Sequence, residues 1–81
     1  MENSIKPLVV LILTQAMIFL GEVPNPITGK RETNLPAASR YLQMLTALRD
    51  KTQGNLDEAE EVFMRDTLDN LNLVFQKKAE E

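Results

Sequence analysis

The chain has 81 residues and a formal net charge of −3, with no cysteine, no histidine and no tryptophan. That composition excludes disulfides, thiol nucleophiles, thiolate or imidazole metal sites and the commonest general base. Its nine Lys and Arg residues, scattered along an acidic chain, do not make the basic footprint that phosphate neutralisation requires, so a nucleic-acid partner is not expected.

At 43% hydrophobic and 26% charged the chain reads as globular rather than disordered. Its length allows one domain, residues 1–81, near the size where a single core becomes marginal. With neither cysteine nor a recognisable export signal, a cytoplasmic location is expected. Met1–Asn3 reads as a loose end.

The densest apolar block is Pro7–Leu20, PLVVLILTQAMIFL, with eleven apolar residues in fourteen besides the proline's own ring. A membrane-crossing helix needs about 20 apolar residues, and this run carries Thr14 and Gln15 in its middle before ending at Gly21-Glu22. Glu2 beside a single Lys6 makes a poor signal-peptide start, and no small-residue cleavage site follows. Periodicity alone leaves Leu8–Leu13 open to a strand reading, but length and the absence of Gly or internal Pro over 8–20 decide for a helix. The expected helix covers about 4–20, with Ser4 as N-cap, Pro7 in the first turn and Gly21 as the stop.

On such a helix Ser4, Gln15 and Glu22 share one narrow stripe and apolar side chains cover nearly everything else. A helix that is apolar all round must be buried all round. Two partner helices are too few to do that. If about five large side chains stayed wet, the forgone burial would be roughly 8–15 kcal/mol, comparable with the whole stability of a domain. Self-association is the simplest cover. Gln15 then has two readings: a polar residue at the solvent margin, or one that sets register inside an interface at some cost in stability.

Gly21–Asn34, GEVPNPITGKRETN, is loop: Pro24 and Pro26 flank Asn25, and Gly29 follows. A loop of this length in a helical domain is either a connector or a functional segment. The functional reading is a partner-binding loop using Glu22, Asn25, Lys30 and Arg31. The connector reading is simpler, because the prolines lower the entropy lost on ordering.

The second helix is expected over about 35–53, capped by Asn34, with Pro36 in its first turn. Ala38, Tyr41, Leu42, Leu45 and Leu48 form one apolar stripe, which Met44 widens. Arg49 and Lys51 suit the negative end of the dipole, and Gly54 reads as the C′ residue. The third helix is expected over about 58–77. Asp57 and Glu60 form a capping-box pattern, and Glu58, Glu60 and Glu61 suit the positive end of the dipole. A divalent-metal site built from these carboxylates is the rival reading, and capping explains them with fewer assumptions. Met64, Leu68, Leu71 and Phe75 line one face of this helix, while Ala59, Val62, Phe63, Leu73 and Val74 gather roughly opposite. Two faces suggest one packed within the chain and one against a second subunit.

Several of these stretches together are distinctive: QAMIFLGEVPNPITGK, the L-x-x-A-x-x-x-L spacing of Leu35, Ala38 and Leu42, then LTALRDKTQGNLDEAEE with Leu68, Leu71 and Phe75. In these the chain resembles a family of short bacterial proteins known as domain of unknown function eighteen forty-four, over roughly Val10–Phe75. Members of that family commonly carry Asp at the position of Asn25 and Thr at that of Asp57. The resemblance implies a cytoplasmic, all-helical bacterial domain, and it implies no activity, substrate or catalytic residue.

The expected fold is therefore all-α: three helices with a long proline-containing loop after the first, assembled as an oligomeric helical bundle, a dimer or tetramer. Leu8, Leu11, Ile12, Phe19, Phe63, Leu71 and Phe75 are the candidate interface residues. The leading functional reading is a non-enzymatic adaptor or small regulatory subunit, with no catalytic residue, no cofactor and no metal. A membrane-surface protein docking through its first helix is the alternative, weakened by the lack of a basic face. An enzyme using Glu22 with Asp57 or Glu60 and a cation such as Mg²⁺ comes third, since no glycine-rich phosphate loop or nucleophile elbow is present.

Overall fold

The computed structural model describes residues 4–81, so the expectation for Met1–Asn3 falls outside the described residues. Three helices pack on one another: α1 (Lys6–Phe19), α2 (Leu35–Lys51) and α3 (Glu58–Ala79). No strand occurs among the described residues, only an isolated antiparallel bridge between Leu20 and Thr33. Against expectation, α1 starts two residues late and ends one early, α2 stops at Lys51, and α3 runs two residues further.

The late start of α1 has a physical cause. Ser4 does not cap it; the N-cap is Ile5, which has no capping side chain of its own. Ser4 Oγ accepts from Lys6 N–H at 3.1 Å, and the acceptor for Ile5 comes from α3. Glu60 Oε2 accepts the Ile5 backbone N–H at 2.8 Å and the Ser4 hydroxyl at 3.5 Å. The same carboxylate also closes the expected capping box, with Oε1 accepting from Asp57 N–H at 3.1 Å while Asp57 Oδ1 accepts from Glu60 N–H at 2.8 Å. One buried carboxylate thus holds the starts of two helices 55 residues apart in sequence.

At the other end of α1, Gly21 takes φ +76°, and a Schellman arrangement closes the helix: Glu22 N–H donates to Met17 O at 3.0 Å and Gly21 N–H to Ile18 O at 3.0 Å. The chain then returns beside itself, with Asn34 N–H donating to Phe19 O at 2.7 Å, and Asn34 Oδ1 caps α2 by accepting from Ala37 N–H at 3.1 Å. Gly54 is not the C′ residue of α2. Thr52 closes that helix, and Gly54 (φ +82°) sits in a following turn held by Asn55 N–H to Thr52 O at 2.9 Å.

Glu60 against Ile5 joins the N-terminal ends of α1 and α3, and Lys78 Nζ lies 3.7 Å from Glu22 Oε1 at their C-terminal ends. These two helices therefore run parallel, with α2 packed against both in the opposite direction. Val9, Ala16, Leu20, Ala38, Leu45, Met64, Leu68 and Leu71 form the buried core. The α2 stripe supplies Ala38 and Leu45 to it, with Tyr41, Leu42 and Leu48 half-buried alongside, and the Phe19 and Tyr41 rings stack at 5.7 Å. Met44, by contrast, is exposed and adds nothing to the stripe. At about 33 Å, the 22 residues of α3 outreach the about 21 Å of α1. The radius of gyration, 13.3 Å, accordingly exceeds the about 12 Å of a compact chain this long.

Two predictions follow from these junctions. A Cβ at Gly21 would sit 2.7 Å from Thr33 Oγ1 in a left-handed backbone conformation, so Gly21→Ala should lower unfolding stability by about 1–3 kcal/mol. An unchanged urea midpoint would contradict this. Glu60 has its pKa lowered, first by the Ile5 and then by the Asp57 backbone N–H. A carboxyl with a folded pKa below its unfolded one binds fewer protons when folded, so its contribution is full above the ordinary glutamate range and lost as pH falls through the lowered value. Glu60→Gln should lower the melting temperature at pH 7, and the gap to the native chain should shrink in acid; a gap constant down to pH 3 would refute the assignment.

Candidate functional site

Helical geometry turns Val9, Ala16 and Leu20 into the bundle. At 100° per residue, Pro7, Leu11, Thr14 and Ile18 then fall on the opposite side of α1, with Val10 on one flank. Val10 is 46% and Leu11 59% exposed, and Leu8 on the flank is 45% exposed. Thr14 offers no free hydroxyl hydrogen there, because it donates to Val10 O at 2.8 Å. No charged residue occurs between Lys6 and Glu22. Ile12, Leu13, Met17 and Phe19 are half-buried against the core. The chain thus covers more of α1 than the sequence suggested, leaving three large side chains about half exposed rather than five fully wet. Gln15 is half-buried on the Leu8 flank of this face.

The seven candidate interface residues separate accordingly. Leu8 and Leu11 are surface residues of α1. Ile12, Phe19, Phe63 and Phe75 pack against the chain's own core. Leu71 is corrected to a core residue at 1% exposure, because it belongs to the Met64, Leu68, Leu71 set that α3 turns inward. Nor does α3 carry a second continuous apolar face. Phe63 and Val74 lean into the core, and Val62 and Leu73 stand apart on the outside with Asp66 and Asp69 between them. Single exposed apolar residues of that kind are ordinary surface.

The loop between α1 and α2 is built around Asn25. Its N–H donates to Lys30 O at 2.8 Å, its O accepts from Gly29 N–H at 2.7 Å, and its side-chain Oδ1 accepts from Ile27 N–H at 2.8 Å. Thr28 Oγ1 accepts from Lys30 N–H at 3.2 Å, and Gly29 adopts φ +72°. Of the four candidate binding residues, Asn25 therefore organises the loop, Glu22 lies beside Lys78, and Lys30 and Arg31 stand in solvent. Sequence reasoning missed Ile27, 92% exposed at the apex. Its signal was an apolar residue inside the turn sequence Pro26-Ile27-Thr28-Gly29, where burial is not available. Behind the loop, Ile18, Phe19, Asn25, Thr33, Leu35 and Pro36 line an open cleft of about 500 Å³.

The carboxylates considered for a cation site are not brought together. Glu22 lies at the C-terminal end of α1 and Asp57 and Glu60 at its N-terminal end, the helix separating them by about 21 Å. Asp57 and Glu60 are spent on backbone N–H groups. Among the described residues no cluster of three or more acidic side chains could hold a metal ion, and no helix is long and apolar enough to cross a membrane.

No curated protein and no solved structure matches the chain. A family model does, over residues 2–77, and by it the chain belongs to the family described as Domain of unknown function (DUF1844).

Proposed function

We propose that this protein is a non-enzymatic helical interaction module, an adaptor or small regulatory subunit that assembles with copies of itself as a dimer or tetramer. The observation that carries the reading is the uncharged outer face of α1, where Leu8, Val10 and Leu11 stay about half exposed. Fully burying each such side chain is worth about 1.5–3 kcal/mol, so completing the burial of three recovers roughly 2–5 kcal/mol per copy. Association itself costs on the order of 4–15 kcal/mol. The two are close enough that assembly through this face alone should depend on concentration. In this reading Lys30, Arg31 and Ile27 remain free on the loop to meet another protein. The setting is the bacterial cytoplasm that accompanies the family resemblance.

A second reading is a membrane-surface protein docking through α1, favoured by the same uncharged face and by an exposed Ile27 close in sequence to two cations. The absence of a basic face along α1 itself counts against it.

Light scattering on a gel-filtration dilution series separates these readings. Native protein should show a mass above 9.2 kDa that falls on dilution, and Leu11→Glu should shift the equilibrium to monomer while leaving helicity unchanged. Native protein that is monomeric at every concentration would end the self-association reading. Flotation with anionic liposomes, abolished by the same substitution, would replace it with the membrane one.

A further inference from the structure

We draw no further inference here: the strongest candidate, the uncharged outer face of α1 around Leu8, Val10 and Leu11, is an unpartnered apolar surface, and nothing in the structure shows what covers it.

Discussion

The arrangement of this small bundle depends on one carboxylate. A helix normally finds its N-terminal acceptors within a few residues of its own start, and α1 does so only in part: Ser4 Oγ accepts from Lys6 N–H, while the N–H of the cap residue Ile5 is met by Glu60 on α3. Glu60 is thereby committed to two backbone donors on separate segments, and leaving either unmet in a partly dry site would cost more than a made hydrogen bond gains. That asymmetry sets the parallel alignment of α1 and α3. At the far end Lys78 lies 3.7 Å from Glu22, a partly exposed pair that follows the same alignment and adds little to it.

Alignment of this kind also decides which apolar surface is spent. With α1 aligned on α3, its rotation is fixed by Val9, Ala16 and Leu20 in the core, and everything on the far side is left over. Two neighbours cover a helix of this composition through roughly half its circumference. The unspent half is then a direct outcome of having three helices and no more, and its lack of charge distinguishes it from the outside of α3, where Asp66 and Asp69 separate Val62 from Leu73.

Much of this was legible in the residues. The punctuation at Gly21, Asn34 and Asp57 is local chemistry, and each marks a real helix end. The α2 stripe follows from a single clean periodicity. What could not be read was anything that depends on two distant segments meeting. Ser4 still accepts from Lys6 N–H, but the cap position falls on Ile5, whose own N–H is met by Glu60 from far along the chain. Leu71 and Leu73 sit two residues apart on one apolar-rich helix, and only the placement of α1 and α2 shows that the first is core and the second surface. The loop followed the same rule. Its prolines and glycine announced a break, while the role of Asn25 as its internal organiser, and with it the outward projection of Ile27, emerged only when its three hydrogen bonds were seen together.

The meeting of Leu20 with Thr33, reinforced by Asn34 N–H on Phe19 O, has a consequence for how such a chain can diversify. It shuts the base of the loop, so the helices below are insulated from whatever is threaded above it. Lengthening the excursion costs little, since each doubling of a flexible loop adds only about 0.6 kcal/mol of closure entropy. The apex can therefore change its size and its side chains while the bundle stays as it is: a variable tip on a constant base, free to acquire new specificities without renegotiating the core.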